Sequence, residues 1–128
     1  MASSPTPPPS HNAPEAEWGL TSAQFHILLT LAEGARHGYG IMQEVEERTE
    51  GTLELGPGTL YRSLKQLMAR GLIREVDSCN DTEPESGRPR RCYALTPAGR
   101  ARTAEEARRL RALVAWAEDT LALEGGEP

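Results

Sequence analysis

The stretch Gly56-Pro57-Gly58-Thr59-Leu60-Tyr61-Arg62-Ser63-Leu64-Lys65-Gln66-Leu67-Met68-Ala69-Arg70-Gly71 constrains this chain more than any other. Its apolar residues Leu60, Leu64, Leu67 and Met68 stand at i, i+4, i+7 and i+8, which gathers them on one stripe of a helix. The other face carries Thr59, Tyr61, Arg62, Ser63, Lys65 and Gln66, and no carboxylate occurs between Gly56 and Arg74. Such a helix is anchored on one side and offers hydroxyls, an amide and cations on the other, the groups that meet phosphates and base edges. Gly56-Pro57-Gly58 predicts a tight entry turn and Gly71 a left-handed exit. The spacing allows a recognition helix or an ordinary amphipathic helix with a solvated face, because periodicity names no partner.

Charge separates these two readings. The 128 residues, enough for one domain with appendages, carry a net charge of -5. Residues 1–55 hold two Arg against eight Glu, residues 56–111 twelve Lys and Arg against seven acids, and residues 112–128 four acids and no base. A basic middle flanked by acidic ends predicts a surface that faces DNA and an acidic reverse side. Residues 1–17 lack the apolar core of a signal peptide, and the chain has only two cysteines, Cys79 and Cys92. Both features predict a reducing, cytoplasmic location. No apolar run approaches the roughly 18 residues of a membrane span, so no membrane partner is expected.

Along the chain, residues 1–17 contain five prolines and predict a disordered tail. Thr21-Ser22-Ala23-Gln24 has the form of a capping box, and Phe25, Leu28, Leu29 and Ala32 follow as a core-facing stripe closed by Gly34, with Trp18 and Leu20 packed over the start. His26 lies off that stripe. Arg36-His37-Gly38-Tyr39-Gly40 leads into a second helix through about Arg48, with Ile41, Met42 and Val45 inward and Gly51 beyond its end. No metal partner lies at ligand spacing around His37, which predicts a structural or capping role. Tyr39 is either a partly buried ring, a hydroxyl donor to a phosphate, or both.

Residues 72–77 read as a strand, 78–90 as a loop and 91–95 as a returning strand. Two strands and a loop after three helices predict a winged helix-turn-helix over residues 18–96, mainly α with a small β-hairpin. Residues 77–85 of the wing hold four acids and no base, whereas 87–91 hold Arg88, Arg90 and Arg91 around Pro89, a cationic tip suited to phosphates or a minor groove. Thr96-Pro97 starts a last helix, read over 97–124, before a frayed end at 125–128. Ala107, Leu110, Val114, Ala117 and Leu121 recur in steps of three and four, with Leu113 and Trp116 beside them. This dimerisation helix outreaches a three-helix core, so a second copy of the chain is its expected partner.

These elements together resemble PadR-type transcriptional regulators, over about Leu20 to Leu121. The resemblance rests on His37-Gly38-Tyr39-Gly40-Ile41, Pro57-Gly58-Thr59-Leu60-Tyr61, Gly71-Leu72-Ile73, Gly87-Arg88-Pro89-Arg90-Arg91-Cys92-Tyr93 and Leu95-Thr96-Pro97-Ala98-Gly99-Arg100. It implies a homodimeric, DNA-binding winged helix, usually a repressor, of the branch with a single C-terminal helix. Carried onto this sequence, it implies that Thr59, Tyr61 and Lys65 meet the major groove, Tyr39 a phosphate, and Arg88, Arg90 and Arg91 the wing contact. Gly58 and Arg62 belong to the same DNA-binding set. A small aromatic or apolar effector at the dimer seam is implied too, with Trp116 either touching it or packed as an ordinary interface residue. Cys92 departs from the family's usual basic or aromatic residue, and the acids from Asp81 to Glu85 lengthen the wing.

Two other readings stay open. Cys79 and Cys92 flank the wing and can form a redox pair, or they are idle thiols. The domain can also be an interaction module whose acidic surface binds a basic protein, which the basic segment 56–111 disfavours. Nothing points to an enzyme, a cofactor or a metal: there is no Ser/His/Asp ordering, glycine-rich phosphate loop or Cys/His cluster.

Overall fold

The computed structural model describes residues 19–79 and 91–125. Among them lie four helices and three strands: α1 (Ser22–Ala32), β1 (Arg36–His37), α2 (Gly38–Arg48), α3 (Pro57–Ala69), β2 (Ile73–Val76), β3 (Cys92–Leu95) and α4 (Pro97–Gly125). The expected tail and the wing tip fall outside the described residues.

α1 begins where its sequence supplies partners for its first N–H groups. Thr21 Oγ1 accepts from the Gln24 N–H at 3.0 Å, and Gln24 Oε1 accepts from the Thr21 N–H at 2.9 Å, completing the predicted capping box. The buried stripe is shifted from the expected one. Ile27, Leu28 and Leu31 are inside with Gln24, while Leu29 is 42% exposed and Phe25 and Ala32 are half-buried. α1 is apolar nearly all round, so two stripes one residue apart were open to it. The choice fell to Gln24, whose amide is satisfied inside.

The sheet also differs from the expected two-stranded hairpin. Arg36 and His37 form a short third strand, in the order β1-β3-β2 with all pairs antiparallel. Arg36 faces Tyr93 and His37 faces Cys92 across one edge of β3, while Ile73 to Val76 face Leu95 to Cys92 across the other. A two-residue strand has no period to read, so periodicity carries no sign of it. A disulfide joins Cys79 and Cys92, whose Cα atoms are 5.9 Å apart, so the expectation of reduced thiols is not met.

The core is built from Ile27, Leu28 and Leu31 of α1, Ile41 and Val45 of α2, Leu60, Leu64 and Leu67 of α3, and Leu72, Ile73 and Tyr93 from the sheet side. Met42 and Met68 pack against it, half-buried. Ser63, expected on the polar face of α3, is buried. Its position three residues after Leu60 falls within the apolar arc. Gly71 has φ 76°, the predicted left-handed exit.

α4 is fastened to that exit. Thr96 Oγ1 donates to the Gly71 carbonyl at 2.7 Å and accepts from the Gly99 N–H at 2.9 Å, and the Thr96 N–H donates to the Leu72 carbonyl at 3.1 Å. Gly99 is buried against Leu72, and Thr103 and Glu106 continue the inward face. Glu106, 3% exposed, pairs with Arg109 at 2.6 Å and Arg102 at 3.2 Å. The Arg109 hydrogen bond, with help from Arg102, holds its carboxyl below the usual range against the opposing effect of burial. Beyond Leu110 every described side chain of α4, through Ala122, is exposed.

Candidate nucleic-acid interface

The interface is built on α3, whose apolar arc is sunk in the core. Gly56 caps it without a side-chain hydrogen bond and Pro57 takes the first helical position, where a missing N–H costs nothing. Gly58, Thr59, Tyr61, Arg62, Lys65 and Gln66 are consequently outside. The structure thus brings together on one exposed face every α3 residue predicted for DNA contact.

Tyr39 joins them from α2. His37, itself buried, caps that helix by accepting the Gly40 N–H on Nδ1 at 3.1 Å, the capping role expected from its sequence context. No acid occupies the first turn of α2, so its positive end is uncompensated there. A cleft of about 380 Å³ opens at this point, lined by His37, Gly38, Tyr39, Tyr61, Arg91 and Tyr93. A Cβ on Gly38 would come within 2.7 Å of Tyr61 Oη, so glycine is what lets the phenol of α3 lie against the start of α2. Tyr39 Oη accepts from Gln43 at 3.3 Å and keeps its own proton to donate. Tyr93 is buried at the back. Burial first, then the Glu75 carboxylate, raises its phenol above the ordinary range, so it stays protonated.

The wing residues divide. Arg91 is exposed beside the cleft but pairs with Glu75 at 3.2 Å, so it is not an unopposed cation. Arg88 and Arg90 lie outside the described residues. Tyr93 and Arg91 as cleft walls, and β1 as the strand that brings His37 to them, had no clear signal: a Tyr in an alternating strand reads equally as core.

Along the face of α4 expected to pair with a second copy, Leu110 is half-buried, whereas Ala107, Leu113, Val114, Ala117 and Leu121 are exposed, and Trp116 is 69% exposed. This face therefore has no cover from the described residues of its own chain. Among those residues no group of His, Cys, Asp or Glu is placed to hold a metal.

A helix pair presenting α3 outward, followed by a β-hairpin and a long helix, defines the winged helix-turn-helix class. Residues 27–105 match the transcriptional regulator PadR-like family. A transcriptional regulator of Mycobacterium tuberculosis is 36% identical over 97 residues, covering 76% of this chain and 83% of that protein. An uncharacterised 37.1 kDa protein in a transposon of Streptomyces fradiae is 41% identical over 78 residues, covering 61% of this chain but only 20% of that protein. The crystal structure of a PadR family transcription regulator from Clostridium difficile superposes with a TM-score of 0.67 at 27% identity, covering 79% of this chain and 99% of that one. This chain belongs to the PadR-like family of transcriptional regulators, which are not enzymes.

Proposed function

We propose that the chain is a homodimeric repressor that grips an inverted-repeat operator, with α3 of each copy in a major groove. The observation that carries this reading is the outer face of α3, where Thr59, Tyr61, Arg62, Lys65 and Gln66 stand exposed with no acid among them. Gly58 allows the DNA backbone to approach the first turn. Tyr39 and the positive end of α2 take a phosphate at the cleft, with Tyr61 beside it. Arg88, Arg90 and Arg91 add the wing contact. The two copies pair through Ala107, Leu110, Leu113, Val114, Ala117 and Leu121, which supplies the cover the apolar face of α4 lacks. Two symmetry-related helices then meet half-sites about 34 Å apart. An aromatic or apolar effector would release the dimer by wedging beside Trp116, which works only if it prefers one dimer geometry to another.

Selection of bound sequences from random duplex DNA tests this. The expected result is an inverted repeat. A base contact by Arg62 or Lys65 then predicts that its alanine variant loses about 1–3 kcal/mol and relaxes specificity at one position. Recovery of no sequence preference, or of a single half-site bound by a monomer, would sink the reading.

The Cys79–Cys92 disulfide favours a second layer, redox response. It closes the chain from 79 to 92 into a loop that contains Arg88 and Arg90, and Cys92 sits on β3 opposite His37, the cap of α2. Oxidation of the dithiol gives up two protons and two electrons, which a hydroperoxide accepts as it is reduced to an alcohol and water. Treatment with dithiothreitol is expected to lower operator affinity several-fold in the native chain and to change nothing in Cys79→Ser. Equal affinity of the reduced and oxidised native chain would remove this layer.

A further inference from the structure

We infer that Gln66 meets the major groove with its NH2 group leading, because Gln24 holds its oxygen. The inference rests on the reading of α3 as the DNA-facing helix and specifies what one of its side chains recognises. The logic starts at a backbone N–H, which can only donate. That of Thr21 points at the Gln24 side chain at 2.9 Å, so the atom it meets must be Oε1. The other amide atom of Gln24 is then the NH2 group, and it lies 3.0 Å from the Gln66 side chain, where only an acceptor is acceptable. The Gln66 atom there is therefore Oε1. Its NH2 is left with two hydrogens and no partner among the described residues, on the exposed face of α3 one turn after Arg62.

The arrangement is built rather than incidental. Gln24 is 2% exposed, and the two hydrogen bonds of its side chain fix the orientation of its amide. An unconstrained glutamine reads adenine with both of its atoms, accepting from N6 and donating to N7. Gln66 cannot do so. Its outward NH2 suits the acceptors of the groove, guanine O6 and N7, adenine N7 or thymine O4, and rejects cytosine, which offers only a donor there.

The buried partner supplies the test. In Gln24→Glu a carboxylate still accepts from the Thr21 N–H, and glutamate is the other residue of the capping box, so α1 keeps its start. Its second oxygen also accepts, which forces Gln66 to turn over, donate inward and show its oxygen to the DNA. The experiment measures the full chain at pH 8 on its selected duplex and on all single base-pair variants of it, for the native chain, Gln66→Ala and Gln24→Glu. One hydrogen bond is worth roughly three- to tenfold in affinity. Gln66→Ala is expected to level the preference at one base pair by that factor and leave the others intact. Gln24→Glu is expected to move the preference at the same base pair towards cytosine, whose amino group donates and which offers no acceptor there. Its added negative charge weakens all duplexes alike, so the ratio between duplexes reports the reversal. Unchanged profiles in both variants, or a uniform loss in Gln66→Ala that marks a phosphate contact, would overturn the inference while leaving the α3 reading intact. A native chain that selects no sequence would instead remove the α3 reading itself.

Discussion

Gly99→Ala is expected to cost about 3 kcal/mol of stability and lower the melting temperature by roughly 10–15 °C. The methyl group would overlap the Leu72 carbonyl oxygen, and the Leu95 side chain lies 3.1 Å from the same point. A flexible side chain can step aside, but a backbone oxygen just beyond α3 cannot without moving that helix. The Leu72 carbonyl also accepts the Thr96 N–H, so relief of the overlap would break the hydrogen bond that fastens α4. Gly58→Ala is the matching control. Its methyl would meet nothing within 4 Å, and alanine favours a helix by up to about 1 kcal/mol over glycine. Thermal melts of the two variants should therefore move in opposite directions, or the control should stay level. A Gly99→Ala protein that melts with the native chain would mean α4 does not sit on Leu72 as described.

The second large effect is on DNA affinity, and salt is its lever. If each copy neutralises three to five phosphates through Arg62, Lys65, the wing arginines and the cleft, a dimer releases six to ten counterions. Affinity should then fall by about 10³–10⁵ between 50 and 200 mM salt. The net charge of -5 sharpens this test, since a uniformly acidic particle would be repelled at low salt, not held. Titration of a labelled operator across that range gives the slope. A slope near zero would show that cations of residues 56–111 do not meet the phosphates, and the proposed orientation on DNA would fail with it.

The fold was legible where period and end signals agree. Leu60, Leu64 and Leu67 with Pro57 and Gly71 mark α3 at both ends, and Thr21 with Gln24, and Thr96 with Pro97, mark the starts of α1 and α4. It was illegible where apolarity is not periodic. α1 offers Phe25, Ile27, Leu28, Leu29 and Leu31 in one run, and its inner face is marked by contacts distant in sequence, among them the tie between Gln24 and Gln66, 42 residues apart. Ser63 was misplaced because a small hydroxyl residue reads as polar although its position lies within the buried arc. The candidate site was half legible: the exposed α3 residues followed from spacing and Tyr39 from the resemblance, whereas Arg91 and Tyr93 reach the cleft through a pairing with β1 that local sequence does not encode. Glu106 is a further case, a carboxylate in a helix that looks solvated and is enclosed by its own neighbours Arg102 and Arg109.

The knot of Thr96 with Gly71 and Leu72 has a mechanical meaning. Two hydrogen bonds and a glycine contact weld the end of one helix to the beginning of another, with a single short strand pair between them. Under the proposed pairing, a twist applied near Trp116, roughly 30 Å of helix away from that weld, would turn α3 with it as the other arm of a crank.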